Sequence, residues 1–405
     1  EFVLGQHRME DFTSVDMVVK GPSVPWDEKH IVAALEKKIP VEMDSSLFFK
    51  LCKNKVIGVS GTKGKTTTAS LIAAMLKQAE KNVLSVGIGQ VSVLDRLNEV
   101  EDETVIVFEL SSWRLSALGR AGLSPHIAVL TNIMRDHLNY YKTMERYAKD
   151  KEYIFANQKA SDWLIINNED ERLRKMASIA KSRLVRCAKE ELRNGEAVFM
   201  SEGELKINDG NDINSIVKIA DISLQGEHNK TDCMLAAGAA FAAGVSLVDI
   251  AKVLKSFSGV PHRLEFVREF NGVKYYNDTA ATIPDAAVLS LRSFDCPVVL
   301  IAGGTDKDLE FEFLAKEIVA RTKGIVLLVG TATEKLLAQL KKIKGEEYVK
   351  EIAIANSMEE AVQVARRASQ DGDAILLSPG AASFGIFESE FDRGDQFKKI
   401  VKDLK

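Results

Sequence analysis

The segment KVIGVSGTKGKTTTASLIAAMLKQA, residues 55–79, decides the fold class of this chain. Its beginning, Lys55–Ser60, is largely apolar and predicts a buried strand, whereas Thr66 to Ala79 carries apolar residues at helical spacing. A glycine-rich turn, Gly61–Lys65, joins the two. Backbone N–H groups in such a turn surround phosphate oxygens at the start of a helix, so the segment predicts a phosphate site in an α/β domain.

The turn departs from the standard phosphate-loop pattern G-x-x-x-x-G-K-[ST], whose first glycine would fall at Val59. The sequence reads G-x-x-G-x-x-G-K-T-T over residues 58–67 instead. A glycine-rich connection need not bind anything, but Lys65 and Thr66 favour phosphate binding. The ammonium group of Lys65 would reach terminal phosphates, and the hydroxyl of Thr66 would bind Mg²⁺.

Length and charge limit the possible functions. The 405 residues suffice for two or three domains of about 100–200 residues each. Lys and Arg number 54 against 58 Asp and Glu, which gives a formal net charge of −4. Non-specific nucleic-acid binding requires a basic surface, so we expect no nucleic-acid partner.

The sequence indicates neither a membrane span nor a disulfide framework. The most apolar stretch, Cys233 to Val248, is rich in Ala and Gly and is followed by Asp249, so we interpret it as a helix packed closely on a sheet. The four cysteines are scattered and form no C-x-x-C pair, which is typical of the reducing cytosol. We predict a cytoplasmic protein without membrane insertion.

Short apolar strands alternate with helical segments along most of the chain, which predicts parallel sheets covered by helices on both faces. Two hairpins are also predicted, one over residues 197–207 and one around Asn271-Gly272, a pair that favours a two-residue turn. The main predicted strands are Thr104–Phe108, Ile127–Leu130, Trp163–Ile166, Val298–Ala302, Ile325–Val329 and Ala374–Ser378.

A break at Ser258–Pro261 separates two strand-and-helix series. We therefore predict a short first domain over residues 1–50, a central domain over 51–260 and a last domain over 261–405. The sequence opens at Glu1 without an initiator Met, and residues 1–50 are few for an α/β domain. We expect that the first domain is incomplete in this sequence.

Three further residues of the central domain are candidates for chemistry. Glu109 ends a buried strand, where an acidic residue commonly completes a magnesium site in phosphate-loop enzymes. His137 follows another strand, at the edge where ligands of open α/β sheets bind, although an ordinary surface histidine fits the pattern equally well. Lys151, taken by its pattern alone, is typical of a solvated helix face.

In the last domain, polar or glycine-bearing loops follow three predicted strands. They lie at Asn277–Thr282, Ala302–Lys307 and Ser378–Phe384, and the pair His262-Arg263 precedes the hairpin. A single loop of this kind is usually only a connection. Three in one domain indicate a binding edge.

In combination, these segments resemble the Mur ligase superfamily, in which they occur in the same order. The stretches ELSSWRL at 109–115 and LSPGAASF at 377–384 are similar to motifs of its D-glutamate-adding branch. The resemblance extends over the whole chain. It rests on Gly61–Thr67, Glu109–Ser112, Asp136-His137, His228-Asn229, His262-Arg263 and Asp278.

The resemblance implies an α/β fold of three domains. A Rossmann-like N-terminal domain would bind the UDP-sugar, a central domain with a phosphate-loop-type, mostly parallel sheet would bind ATP, and a Rossmann-like C-terminal domain would bind the amino acid. The implied activity is ATP-dependent amide-bond formation through an acyl phosphate, in peptidoglycan precursor synthesis. The implied substrates are UDP-N-acetylmuramoyl-L-alanine and D-glutamate, with ATP, two Mg²⁺ ions and a monomeric enzyme.

The resemblance also implies roles for individual residues. Metal ligands would be Thr66 and Glu109 for one ion, and His137 and a carbamylated Lys151 for the second. The implied catalytic residues are Lys65, His137 and Lys151. Implied ATP contacts are Gly61, Thr62, Lys63, Gly64, Lys65, Thr66, Thr67, Asn229 at the adenine, Arg263 and Asp278. Implied substrate contacts are Ser111 to the muramoyl group and Lys307, Ser383 and Phe384 to D-glutamate.

Some positions depart from the family pattern, and two other functions stay open. Ala280 and Gly87 replace a lysine and an asparagine that are common in relatives, and Lys63 replaces a frequent asparagine. One alternative is another amide ligase of the superfamily, such as a folylpolyglutamate synthase or a different Mur ligase. The other is a phosphate-loop ATPase whose ATP turnover changes the conformation of a partner.

Overall fold

The computed structural model describes residues 5–22, 24–88, 92–134, 138–224 and 227–405. The chain divides into two compact units, Glu1–Phe257 and Ser258–Lys405. Both units combine helices with largely parallel sheets, which confirms the predicted fold class. Residues 1–50 belong to the first unit, and the functional division into three domains stays a prediction.

The N-terminal part of the first unit is a small layer of helices and short strands. It contains α1 Met9–Thr13, β1 Val18–Val19, α2 Lys29–Glu36, β2 Val41–Glu42 and α3 Asp44–Leu51, and the two strands pair in parallel. Trp26 anchors this layer, because its indole N–H donates to Ser116 Oγ at 2.7 Å. The cationic groups of Lys20 and Arg120 lie 4.5 and 4.4 Å from the centroid of the Trp26 ring.

The larger part of the first unit is built on a nine-stranded sheet in the order β11-β10-β9-β8-β7-β6-β3-β5-β4. The seven strands β3 to β9 run parallel, whereas β10 is antiparallel to both β9 and β11. Its elements are β3 Val56–Ser60, α4 Lys65–Gln78, β4 Val83–Val86, β5 Val105–Glu109, α5 Ser112–Arg120, β6 Ile127–Leu130, α6 Leu138–Tyr141, α7 Met144–Glu152, β7 Trp163–Asn167, α8 Glu171–Ala177, β8 Arg183–Ala188, β9 Ala197–Ser201, β10 Glu204–Asn208, β11 Ile213–Lys218, α9 Glu227–Ala242 and α10 Leu247–Ser256.

Strand β3 shows why the predicted strands are apolar throughout. Ile57 and Val59 pack in one core with residues of α4 and α9, whereas Val56 packs in a second core with residues of α5 and α7. Successive side chains of a strand point to opposite faces, and helices cover both faces here. Every residue of β3 is therefore buried.

Helix α9 confirms the interpretation as a closely packed helix for Cys233 to Ala242, whereas the rest of the stretch is a turn and the start of α10. A Cβ added at Gly238 would lie 3.3 Å from side-chain carbons of both Ile165 and Val185, on β7 and β8. The missing side chain thus lets α9 lie directly on the sheet. Within the described ranges, no helix combines the length and the apolar character needed to cross a membrane.

The second unit is built on a six-stranded sheet in the order β12-β13-β17-β14-β15-β16, parallel except for the β12–β13 hairpin. Apolar clusters cover both of its faces. Its elements are β12 Glu265–Phe270, β13 Val273–Asn277, α11 Pro284–Leu291, β14 Val298–Gly303, α12 Glu312–Arg321, β15 Thr322–Leu328, α13 Thr331–Lys344, α14 Glu346–Lys350, β16 Ala353–Ala355, α15 Met358–Ala368, β17 Ala374–Leu377 and α16 Glu390–Lys402.

Strands β13, β17 and β14 are neighbours and run in the same direction. Their carboxyl ends therefore lie side by side at one edge of the sheet. The loops that follow them, residues 278–283, 304–311 and 378–389, are called the strand-end loops below. The predicted clustering of these loops at a single edge is confirmed.

The β12–β13 hairpin confirms the turn predicted from Asn271-Gly272. Asn271 has φ +50° and Gly272 has φ +72°, so both central residues lie in the left-handed region that a two-residue turn of this type requires. The position of Gly272 is also crowded. A Cβ there would lie 1.7 Å from Asp371 Oδ1.

We expect Gly272→Ala to destabilise the second unit by about 1–3 kcal/mol, because it adds a Cβ in a strained conformation against Asp371. Asn271→Gly in the same turn is the matched control, with an expected effect within about 0.5 kcal/mol. Hydrogen exchange of the β12 and β13 amides, followed by mass spectrometry, reports the difference. Equal exchange in the wild type and Gly272→Ala would contradict this account of the turn.

Candidate functional site

The turn after β3 has a backbone path that only glycine permits at two positions. Gly61 has φ +147°, and a Cβ there would lie 1.8 Å from Thr131 Oγ1. Gly64, the N-cap of α4, has φ +82°, and its Cβ would lie 2.3 Å from Asp232 Oδ1. The turn therefore keeps the open backbone surface at the helix start that phosphate groups require.

Hydrogen bonds hold this turn to the segment that follows β6. The N–H of Thr62 donates to the carbonyl of Asn132 at 2.9 Å, and the N–H of Lys63 donates to Asn132 Oδ1 at 2.9 Å. The hydroxyls of Thr62 and Tyr147 lie 3.1 Å apart. Asn132 and Tyr147 had no predicted role, because their contribution depends on contacts between distant parts of the chain.

Lys65 and Thr66 open helix α4 and face the same region. Lys65 Nζ donates to the carbonyls of Gly61 and Thr62, at 3.2 and 3.0 Å, so its ammonium group lies over the turn. Thr66 Oγ1 donates to Glu109 Oε2 at 2.7 Å. Strands β3 and β5 are parallel neighbours, which is why Glu109 at the end of β5 reaches the first turn of α4.

The Thr66–Glu109 pair fits a divalent cation such as Mg²⁺. A hydroxyl and a carboxylate are the hard oxygen ligands that this ion prefers, and Mg²⁺ usually takes its remaining ligands from phosphate and water. Among the described residues, no group of three or more His, Cys, Asp or Glu side chains is arranged to hold a metal by itself. The pair therefore suits an ion that arrives with a nucleotide.

Lys151 on α7 does not lie on a solvated helix face, and the interpretation from its pattern alone was wrong. Its side chain is 1 % exposed, and its Nζ donates to the carbonyl of Gly61 at 2.8 Å and to Ser60 Oγ at 3.3 Å. The same ammonium lies 4.8 Å from the centroid of the Tyr147 ring. Helix α7 therefore packs with this residue towards the strand and turn that carry the phosphate-loop motif.

The remaining predicted residues of the first unit are described by a helix cap and by their burial. Ser111 caps α5, because its hydroxyl accepts a hydrogen bond from the N–H of Arg114 at 3.3 Å. Asn229 is partly buried on α9. Thr67 is partly buried and Lys63 is exposed. His137 lies outside the described residues.

Asp232 on α9 is a buried acid beside the glycine turn. The sequence pattern did not predict it as part of the site. Its carboxylate lies against the Cα of Gly64, as the short distance to a Cβ there shows. Burial raises the pKa of Asp232 to about 7. A negative charge at this place would oppose a bound phosphate, so the neutral form suits the site better.

In the second unit, Asp278 holds the base of the strand-end loops together. Its Oδ1 accepts from the N–H of Leu264 at 3.1 Å, and its Oδ2 accepts from Ser378 Oγ at 2.7 Å and also from Ser290 Oγ. Burial raises the pKa of Asp278 to about 6. Both oxygens are thus engaged within the unit, while the side chain of Arg263 is exposed.

The predicted amino-acid contacts lie together on two strand-end loops. Backbone hydrogen bonds between Thr305 and Ala382, 3.0 Å in both directions, join residues 304–311 to residues 378–389. Lys307 Nζ lies 5.4 Å from the centroid of the Phe384 ring. Ser383 is 3 % exposed, and its hydroxyl has no hydrogen-bond partner among the described residues, so it is a buried polar group that the protein itself leaves unsatisfied.

Comparisons with known proteins agree with this arrangement. Residues 59–240 match the Mur ligase middle domain, and residues 262–380 match the Mur ligase, glutamate ligase domain. The chain is 41 % identical to a UDP-N-acetylmuramoylalanine–D-glutamate ligase of Roseiflexus sp. (strain RS-1), over 99 % of this chain and 87 % of the relative. It is 36 % identical to the ligase of the same name from Symbiobacterium thermophilum, with the same two coverages.

Solved structures are similar in fold at much lower identity. A murein peptide ligase from Psychrobacter arcticus aligns with a TM-score of 0.58 at 15 % identity, over 96 % of this chain and 86 % of that one. A UDP-N-acetylmuramate–alanine ligase from Thermotoga maritima aligns with a TM-score of 0.56 at 19 % identity, with the same coverages. These similarities support the fold alone.

The raised pKa of Asp232 predicts that the stability of the first unit depends on pH. An unfolded Asp ionises near pH 4, whereas the folded one binds its proton up to about pH 7, so its burial lowers stability progressively as pH rises through this range. Asp232→Asn stays neutral. We expect the variant to be more stable than the wild type above pH 7, by up to on the order of 4 kcal/mol.

Urea unfolding followed by tryptophan fluorescence measures this effect, because all three tryptophans, Trp26, Trp113 and Trp163, lie in the first unit. The pKa of Asp150 in this unit is also raised, to about 6, but this residue is present in both proteins, so the difference between them isolates Asp232. Parallel stability profiles from pH 4 to pH 8 would contradict the assignment.

Proposed function

Because the chain belongs to the Mur ligase family, we propose that it joins D-glutamate to UDP-N-acetylmuramoyl-L-alanine at the expense of ATP, in peptidoglycan precursor synthesis. The observation that carries this proposal is the 41 % identity, over nearly the whole chain, to a ligase named for that reaction. The glycine turn with its Thr66–Glu109 pair supports the proposal, because such a reaction needs a site for phosphate and magnesium.

The proposed chemistry solves the problem that a carboxylate is a poor acyl donor. Transfer of the γ-phosphoryl group of ATP to an oxygen of the alanyl carboxylate gives an acyl phosphate and ADP. The amine nitrogen of D-glutamate then attacks the acyl carbon, phosphate leaves, and the nitrogen loses a proton. The tetrahedral intermediate carries a negative charge, which favours a site rich in positive groups.

Residues of the first unit would bind the phosphates and hold magnesium. The backbone of Gly61–Gly64 would surround the phosphate oxygens, with Thr67 beside them. The Lys65 ammonium, already over the turn, would neutralise charge on the phosphoryl group. Magnesium held by Thr66 and Glu109 would neutralise further charge on the phosphates.

We also propose that Lys151 acts as a carbamate. In the described structure its ammonium and that of Lys65 both donate to the carbonyl of Gly61, at 2.8 and 3.2 Å. Two cations so close repel each other, and burial adds to the cost of the Lys151 charge. Carbamylation needs the neutral amine, whose nitrogen bonds to the carbon of CO₂ while a proton is released to solvent.

A carbamate on Lys151 would replace a cation by an anion with two hard oxygens. Such a group, with His137, would hold the second magnesium ion of the proposal. We propose Ser111 as the contact to the muramoyl group, and Lys307, Ser383 and Phe384 as the contacts to D-glutamate. The contributions of Asn229, Arg263 and Asp278 to ATP binding remain predictions.

We further propose that the enzyme acts in the cytoplasm as a monomer. ATP and UDP-linked precursors are cytoplasmic metabolites in a pathway of this type, and its reaction needs no residue from a second chain in the proposal above. The alternative of an ATPase that acts on a partner protein differs in one measurable respect. Its ADP release would not depend on the muramoyl substrate.

We expect ADP release only when ATP, UDP-N-acetylmuramoyl-L-alanine and D-glutamate are all present, with one amide bond formed per ADP. Lys65→Ala should lower turnover by on the order of 10²–10³ or more, because it removes a positive group from the phosphate site. Lys77→Ala, at the exposed end of the same helix, is the matched control and should retain activity. ADP release without the muramoyl substrate, or full activity of folded Lys65→Ala, would contradict the proposal.

For Lys151→Ala we expect loss of most activity, with partial recovery when a short carboxylic acid such as acetate is added, because the acid replaces the carbamate oxygens. Lys149→Ala is the control, since Lys149 lies on the same helix but is exposed and pairs with Glu152. Wild-type enzyme freed of CO₂ should lose activity and regain it with bicarbonate. A fully active Lys151→Ala variant would overturn carbamylation.

A further inference from the structure

Arg393, on the first turns of α16, is a fully buried guanidinium in the second unit with no role in the proposal above. Its exposed fraction is 0 %, and it is the largest side chain among those so deeply buried. Nε donates to Thr279 Oγ1 at 2.9 Å, Nη2 to the carbonyl of Thr279 at 3.0 Å, and Nη1 to the carbonyl of Ala381 at 3.2 Å. Every one of these acceptors is neutral.

These bonds connect the three strand-end loops. Thr279 belongs to residues 278–283 and Ala381 to residues 378–389, so the guanidinium joins two of the loops directly. The third loop, residues 304–311, is attached through the Thr305–Ala382 backbone pair, and a Cβ on its Gly304 would lie 3.6 Å from Arg393 Nη1. Arg393 is therefore the common neighbour of all three loops.

Gly394 explains how helix α16 brings the guanidinium to this place. A Cβ at Gly394 would lie 2.3 Å from His262 Nδ1 and 2.5 Å from Thr279 Cγ2. Glycine thus permits the helix to approach these residues closely. Thr279 Oγ1 also donates to the carbonyl of Glu390 at 2.9 Å, which adds a second bond between this helix and the first loop.

The charge of Arg393 forms no ion pair with a described residue, although the Glu390 carboxylate partly compensates it from a longer distance. Among the described residues, no carboxylate lies within ion-pair distance of the guanidinium, and the three bonds use three of its five N–H groups. Burial lowers the pKa of Arg393 to about 10, so the group stays protonated at neutral pH. An unpaired buried charge is costly, and an anionic ligand nearby would offset part of that cost.

We propose that Arg393 is a positioning residue for the amino-acid acceptor, and that its unpaired charge favours an acceptor whose side chain is a carboxylate. The inference rests on the proposed function, because the loops it joins carry Lys307, Ser383 and Phe384. The guanidinium holds the loops in one arrangement, and its positive field extends into the site through low-dielectric surroundings. Arg393 thus has two separate roles, holding the loops and supplying a positive charge, and different substitutions can distinguish them.

The test compares D-glutamate with D-glutamine, its uncharged isostere, as acceptors for the wild type, Arg393→Lys and Arg393→Gln. Arg393→Gln removes the charge, and we expect the preference for D-glutamate, as a ratio of kcat/KM values, to fall about tenfold or more. Arg393→Lys keeps the charge but loses the planar fork. It should raise KM for D-glutamate about tenfold while the preference stays within about threefold of the wild type.

The outcomes separate the inference from the proposed function. A wild type that ligates neither amino acid overturns the proposed function, and the inference with it. An active wild type with equal loss for both acceptors in Arg393→Gln overturns the role of the charge, because a purely structural tie gives that result. An unchanged KM for D-glutamate in Arg393→Lys overturns the positioning role.

Circular dichroism establishes whether each variant is folded. If Arg393→Gln does not fold, the two single variants Thr279→Val and Arg393→Lys test the proposal instead. Thr279→Val removes the acceptor of the Nε bond and leaves the charge, so it should raise KM for D-glutamate and retain the preference. A folded Thr279→Val with wild-type KM, together with wild-type KM in Arg393→Lys, would overturn the proposal.

Discussion

The close contact between Gly61 and Thr131 is the constraint on which the proposed phosphate site of the first unit depends. Space for a Cβ is absent there, because Thr131 Oγ1 would lie 1.8 Å from it. This contact lets the turn lie against the segment after β6, and the Asn132 hydrogen bonds then fix its path. The fixed turn holds Lys65 and Lys151, which both donate to the carbonyl of Gly61. The Thr66–Glu109 hydrogen bond lies at the start of the helix that follows it. Contacts within the protein therefore set the positions of these groups.

The second unit achieves organisation by different means. The proposed amino-acid site lies on three loops at the ends of parallel strands, and loops are free to move unless other contacts hold them. Asp278 secures the base of these loops through three internal hydrogen bonds, and Arg393 connects them through three more. Both residues are buried and ionisable, and each binds a residue that lies 100 or 114 positions away in the chain. A rigid edge is thereby made from separate chain segments.

The sequence predicted what depends on local pattern. The strand, turn and helix at residues 55–79, the Asn271-Gly272 turn and the hairpin at 197–207 all follow from periodicity and backbone preferences of adjacent residues. The burial of Lys151 did not follow, because its helix shows a polar pattern and its partners, Ser60 and Gly61, are about ninety positions away. Asp232 and Arg393 were missed for the same physical reason: burial of a charge depends on tertiary contacts, which period and composition do not encode.

Buried charge is what the two sites have in common, and it is expensive in both. Lys151 and Asp232 in the first unit, and Asp278 and Arg393 in the second, are almost fully removed from water, although apolar side chains of similar size would pack at lower cost. Burial raises the pKa of both Asp side chains, so part of the cost is met by protonation. Arg393 has no such escape at neutral pH, because burial lowers its pKa only to about 10. A fold selected for stability alone would avoid these groups, and their concentration beside the glycine turn and the strand-end loops therefore points to the binding of anionic substrates.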